Sequence, residues 1–355
     1  PLPGVQTYLF GHHHRTGLTA RTCPMPDTTT ELPRTTTGTG RLNYLDQSVH
    51  PSLFRNGEVL TRRDPDGNDY GTTGLVLEGL ELDIHNARTL NKAERKTCRD
   101  NGFELLDAPL QDQSIDFFNH EDVVRDYYGQ CARLVSETMG ARAFAFDHNI
   151  RSASGKQSQK RVAGGQLVQE PLHMVHGDYT LFSAPQRLRD LAKPPSGNDT
   201  LRSILAAGES LIDPDDAGRV LEDGRFAIIN VWRNIADTPV AVRPLALCDA
   251  RCVDRQDLVV FEIHYQDRVG ENYFARHAPA HRWYTYPGLT RDEALLIKQW
   301  DSAGVLAQSN GAVSDAADPD NPCTFSFHSA FEDPSAPDDA PDRWSIEVRC
   351  MVIYD

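Results

Sequence analysis

Between Asn119 and Met139 the side chains Val123, Val124, Tyr127, Tyr128, Cys131, Leu134, Val135 and Met139 recur at steps of three and four. Such spacing draws one apolar stripe down an α-helix, and Gly140 immediately after it supplies a stop. The pattern predicts a helix over Asn119–Met139 that packs as a buttress on a sheet. A charged helix is expected around Leu90–Asn101. Before these lie short strands at Gly74–Leu77 and Leu80–Ile84, with further strands at Gly102–Leu106 and Ala143–His148.

After Phe226 the pattern turns mostly to strands. Phe226–Trp232, Val240–Leu247, Leu258–Tyr265, Glu271–Arg276, His281–Tyr286, Arg291–Trp300, Thr324–His328 and Trp344–Tyr354 are short runs separated by Gly, Pro and Asp turns. Strands at this spacing predict a sandwich or barrel. Residues 1–40 carry His12–His14 and two threonine runs without a periodic apolar face, and read as a flexible tail. The remainder, 41–355, reads as one domain whose N-terminal part, to about residue 150, is α/β support.

Composition narrows the function. The 355 residues carry a formal net charge of −15, and no basic stripe is present to neutralise phosphates. Neither a nucleic-acid nor an anionic-membrane partner is expected, and no apolar run is long enough to span a bilayer. The start shows no signal-peptide pattern. Seven scattered cysteines, odd in number, suit reduced thiols in a cytoplasmic protein. Cys248 and Cys252, the nearest pair, lack a second pair at zinc-ligand spacing.

The chemistry gathers at Val175-His176-Gly177-Asp178-Tyr179-Thr180. On an extended strand, residues two apart face the same way, so an imidazole and a carboxylate can take adjacent positions on one ion. A histidine from a distant strand would complete the three-ligand face of a non-haem Fe(II) oxygenase. The same triplet also fits a solvated strand-end histidine followed by a turn aspartate. Asp147 and His148 are neighbours on a strand and face opposite ways, which makes a poor chelate.

Several motifs occur in order: Phe146-Asp147-His148-Asn149-Ile150-Arg151, His176-Gly177-Asp178-Tyr179, Asn230-Val231-Trp232-Arg233, the run His281–Pro287, Asp292–Ser302, Phe327–Phe331 and Arg343–Arg349. Together they resemble the CmcJ-like, gibberellin-desaturase-like family of natural-product oxygenases, over roughly residues 42–355. Thr285 and Trp344 depart from the family pattern. The resemblance implies a mainly β fold with some α: a double-stranded β-helix, or jelly roll, with N-terminal buttressing helices. It implies Fe(II), 2-oxoglutarate and O2, and hydroxylation, desaturation or oxidative cyclisation of a small secondary metabolite by a monomer or homodimer. A catalytically silent jelly-roll binding protein and a metal-dependent hydrolase using the same ligands are the alternatives.

Two histidines compete for the third ligand position. His281 precedes Arg291 by ten residues; His328 precedes Arg343 and Ser345, which open the last strong strand. In jelly-roll oxygenases that strand holds the far carboxylate of 2-oxoglutarate. Arg343 and Ser345 share one strand face, and a guanidinium fork with a hydroxyl beside it suits a carboxylate. His328 is therefore favoured, with His281 as a structural histidine. Tyr179, Asn230, Trp232 and Trp344 are candidates for the substrate pocket. Arg349 is expected to pair with Glu347 in a structural role.

Overall fold

A computed structural model of the chain describes residues 36–64, 69–195, 199–266 and 268–355. The histidine and threonine runs of the expected tail lie outside them up to residue 35. The strand β1 (Thr36–Leu45) begins inside the expected tail, so its last residues belong to a sheet.

Among the described residues, fourteen strands form two sheets. The larger, of nine strands, has the order β1, β3 (Leu77–Asn86), β11 (Trp283–Thr285), β8 (Leu245–Cys248), β13 (His328–Ala330), β6 (His176–Gly177), β10 (Val269–Ala275), β9 (Leu258–His264) and β2 (Leu60–Arg62). The smaller, of five, runs β4 (Phe103–Asp107), β12 (Glu293–Asp301), β7 (Arg225–Asn234), β14 (Ser345–Tyr354) and β5 (Arg142–Arg151). The neighbours in the smaller sheet are antiparallel throughout.

Period-two alternation explains how the sheets stack. On β14, Ile346, Val348, Cys350 and Val352 face outward, and on β7 so do Ala227, Ile229 and Val231. They pack under the helix α1 (Tyr128–Met139), whose Tyr128, Cys131 and Val135 are buried. The helical run begins at His120, passes through a π turn over Val123–Tyr127, and ends at Gly140 with φ 65°. This is the expected buttress. On the opposite face Met351, Ile353, Phe226, Ile228 and Trp300 meet Leu42, Tyr44, Ala246, Tyr273 and Trp283 of the larger sheet, forming the inter-sheet core. Further along the same inner face, β7 presents Asn230 and β14 presents Arg349, Glu347 and Ser345. The core thus changes from apolar at one end to polar at the other.

Several expectations need correction. Leu90–Asn101 is a series of turns, not a helix. Asn91 Oδ1 receives the backbone N–H groups of Ala93 and Glu94, and Asn101 Oδ1 that of Thr97. Such side chains satisfy the backbone locally and compete with helix formation. Of the two strands expected between Gly74 and Ile84, Leu80–Ile84 lies within the longer β3, in which Gly79 makes room for the Arg41 guanidinium, whereas Gly74–Leu77 enters it only at Leu77. Besides short helical turns, two longer helices arise where none was expected, α2 (Ser183–Leu191) and α3 (Pro214–Asp223), the latter capped by Asp213 with Pro214 in its first turn.

Gly177 sits inside β6 against the Phe325 ring; a β-carbon there would lie 2.8 Å from Phe325 Cδ2. That ring is held between Tyr273 and Trp300, with Phe327 at its edge, and cannot give way freely. Gly177→Ala should cost about 1–3 kcal/mol by overpacking, read by chemical denaturation. A loss under about 0.5 kcal/mol, the ordinary surface range, would show that Phe325 can move.

Candidate metal centre

Strand pairing brings the two histidines together. β6 lies between β13 and β10, and in the antiparallel register His176 stands directly opposite His328. The ring centroids are 4.2 Å apart. His176 Nδ1 lies 2.7 Å from the Met174 carbonyl oxygen. The carbonyl can only accept, so Nδ1 carries the hydrogen and Nε2 keeps its lone pair. Asp178 follows β6 directly, and its Oδ1 lies 3.5 Å from His176 Nε2.

His176, Asp178 and His328 each offer a ligand atom within 4.8 Å of the others, and they are the one such group found among the described residues. Burial, reinforced by His176, pushes the His328 imidazole down to about 3, so it is neutral at ordinary pH. Its Nδ1 is buried without a hydrogen-bond partner. Burial alone would raise the Asp178 carboxyl, but the contact with His176, the Arg349 guanidinium and His328 hold it well below the usual carboxylate range. Two imidazoles and one carboxylate are the donor set a divalent first-row ion takes.

A small open cavity adjoins the histidines, bounded by His176, His328, Trp232, Arg151, Glu347 and Arg343. Arg343 is buried; Nη1 donates to the Arg243 carbonyl at 2.5 Å, and the guanidinium lies 5.7 Å from the Trp232 ring centroid. No carboxylate lies within ion-pair distance of it among the described residues. Burial, then the neighbouring Arg151, lower its pKa to about 9. Arg343 Nε and Ser345 Oγ are both buried without partners. Arg343 lines the cavity, and a buried cation left open toward it is matched to an anion.

Arg349 is the opposite case. It pairs with Asp147 at 3.0 Å, Glu347 at 3.2 Å and Asp178 at 3.6 Å. Burial would lower its pKa, but these carboxylates raise it. The expected pairing with Glu347 is present, together with a contact to the candidate ligand Asp178 that the spacing did not suggest.

His281 is not brought to this site. Its Nδ1 lies 3.0 Å from the Tyr44 hydroxyl and its Nε2 3.1 Å from Asp257 Oδ2, so both nitrogens are engaged. Of the four candidate pocket residues, Trp232 lines the cavity. Asn230 Nδ2 donates to Asp178 Oδ2 at 3.0 Å. Tyr179 packs against the inter-sheet core, its phenol pushed up to about 12 by burial. Trp344 is a correction: it lies against Phe118 and Gly155 under Lys160, on the face away from the cavity. Alternation places residue 344 opposite 343 and 345. Arg151 and Gln299 were not expected at the site; Arg151 ends the Phe146–Arg151 motif, whereas Gln299 lies between Lys298 and Trp300 in β12.

A protein-family model described as "Oxidoreductase/YMDC permease-like domain" matches residues 42–353. The chain belongs to this family. Despite the second half of that description, no helix among the described residues is long and apolar enough to cross a membrane. An uncharacterized protein in the dcmA 3′ region of Methylophilus leisingeri is 44% identical over 196 residues, 55% of this chain and 89% of that protein. The hydroxylase/desaturase efuI of Hormonema carpetanum is 26% identical over 334 residues, 88% of this chain and 94% of its own. The Fe(II)/2-oxoglutarate-dependent dioxygenase nvfI of Aspergillus novofumigatus is 28% identical over 257 residues, 71% of this chain and 76% of its own. The solved structure of the iron and alpha-ketoglutarate-dependent endoperoxidase NvfI superposes with a TM-score of 0.66 at 22% identity, covering 89% of this chain and 97% of that one. The fold is therefore the expected jelly roll, and the kinship with natural-product hydroxylases, desaturases and dioxygenases holds.

His176→Ala, Asp178→Ala and His328→Ala should each weaken Fe(II) or Co(II) binding by more than the about 10–100-fold typical of losing an outer partner. His281→Ala should retain the ion. Calorimetric titration checks this, and retention of the ion by His328→Ala with its loss in His281→Ala would reverse the assignment.

Proposed function

We propose that this chain is an Fe(II)- and 2-oxoglutarate-dependent oxygenase that hydroxylates, desaturates or cyclises a small secondary-metabolite substrate. The observation that carries it is one cavity with two complementary ends. At one end lie His176 and His328, which converge with Asp178; at the other lies Arg343, whose Nε has no partner, with the unpartnered Ser345 hydroxyl two residues on. A silent binding protein needs neither end. When bound, Fe(II) with 2-oxoglutarate and O2 couples oxidative decarboxylation of the keto acid to oxidation of a C–H bond.

The residues divide the remaining work. His176, His328 and Asp178 would hold the ion, with the Met174 carbonyl fixing the His176 tautomer. Arg343 would take the distal carboxylate of 2-oxoglutarate through a charge-assisted fork and Ser345 would add a donor beside it. Trp232 covers the guanidinium and keeps water from it, which strengthens that pairing. The substrate would enter from the cavity mouth. We take residues 41–355 as one catalytic unit, acting as a monomer or homodimer in the cytoplasm. Thiol chemistry supports that compartment, since the six cysteines among the described residues are free, Cys248 and Cys252 included.

Succinate release as a function of 2-oxoglutarate tests the assignment. Breaking a buried charge pair costs about 3–5 kcal/mol, so Arg343→Ala should raise the apparent KM for 2-oxoglutarate by about a hundredfold or more. Ser345→Ala removes one bond to a charged group, about 1.5–3 kcal/mol, and should act more mildly. Arg343→Ala with a wild-type KM would place the cosubstrate elsewhere.

A further inference from the structure

The carboxylate of Asp178 is divided between two surroundings. Oδ1 faces His176 Nε2, whereas Oδ2 receives Asn230 Nδ2 at 3.0 Å and lies 3.6 Å from Arg349 Nη2. The Asp178 backbone N–H donates to Gln299 Oε1 at 3.1 Å. The two histidines come from the large sheet, but every one of these three partners comes from the small sheet. They sit on the adjacent strands β12, β7 and β14, and Asn230 stands directly opposite Arg349 in the register.

Two irregularities in that sheet aim the partners. Pairing of β12 with β7 shifts between Lys298 and Trp300, so Gln299 has no partner on β7. Pairing of β14 with β5 shifts between Arg349 and Cys350, next to the Arg349–Asp147 pair. Bulges re-aim side chains and recur beside functional sites. Arg349 is itself anchored by Asp147 and Glu347, and Asp147 Oδ1 accepts from Thr200 Oγ1 at 2.9 Å. Asn230 is fully buried within β7 and cannot swing away.

We infer that Asn230 and Arg349, with Gln299 holding the Asp178 backbone, are positioning residues that commit one oxygen of Asp178 to the protein, so that it offers a bound ion one oxygen and not two. A carboxylate gripping an ion with both oxygens would take a position that a keto acid needs. The device therefore sets cosubstrate affinity separately from metal affinity. This rests on the Fe(II)/2-oxoglutarate reading, and its test is arranged to separate the two.

The probe is 2-oxobutyrate, a keto acid without the distal carboxylate and so indifferent to Arg343. It is titrated anaerobically into the Fe(II)-loaded full chain, with Fe(II) affinity measured alongside. Asn230→Leu frees Oδ2, and removing one hydrogen bond to a charged group should weaken 2-oxobutyrate by about tenfold or more. Its Fe(II) affinity should stay within about threefold, less than the roughly tenfold that 1.4 kcal/mol represents, because the freed oxygen can turn to the ion. Arg349→Lys keeps the cation but not the bridging fork and should shift 2-oxobutyrate in the same direction. It decides the question if Asn230→Leu does not fold. Arg343→Ala should weaken 2-oxoglutarate alone. Unchanged 2-oxobutyrate affinity in the folded variants overturns the inference, as does a parallel loss of Fe(II), which would mark general loosening. A wild-type chain that binds no Fe(II) overturns the proposed function instead.

Discussion

The antiparallel pairing of β6 with β13 sets His176 opposite His328, and the candidate site depends on that single register. β6 is only two residues long, so it cannot hold its place by its own ladder. It is held by the strands on either side, β13 and β10, and by close packing of Gly177 on Phe325. A slip of one residue would send one imidazole to the opposite face of the sheet. The apolar inter-sheet core fixes the register, and the chemistry inherits its geometry from that packing.

The second constraint is electrostatic. Asp147, Asp178 and Glu347 share one guanidinium, Arg349, in a buried setting where unpaired charge is costly. Arg343 lies on the same inner face and has no such carboxylate. One arginine is thus bound into the scaffold and the other left open to the cavity, although the strand sequence presents them alike. Their difference is one of register: β5 sets Asp147 directly opposite Arg349, whereas Arg343 stands before β14 begins.

Much of this was legible in the chain. Alternation along Ser345–Tyr354 separates the outward Ile346, Val348, Cys350 and Val352 from the inward polar residues, and it put Arg343 and Ser345 on one face. The three- and four-residue steps through Tyr128–Met139 and the stop at Gly140 marked the buttress. Alternation also turns Trp344 away from the site, although its place between Arg343 and Ser345 suggested a pocket residue. Other features lay outside local pattern. The turns over Leu90–Asn101 follow from side chains that bond their own backbone. Asp178 stands just beyond a two-residue strand, so its convergence with His176 owes more to Asn230 and Gln299 than to strand alternation. The bulge at Gln299 depends on which strand lies beside it, and no single strand announces its partner.

Anaerobic absorbance of the purified chain with Fe(II) and 2-oxoglutarate together tests the central claim most directly. Chelation of Fe(II) by the keto acid gives a weak metal-to-ligand charge-transfer band in the visible region, which neither component alone produces. The two-ended cavity predicts that the band appears with saturable dependence on 2-oxoglutarate. A chain that binds the ion yet gives no band at saturating 2-oxoglutarate would contradict the account.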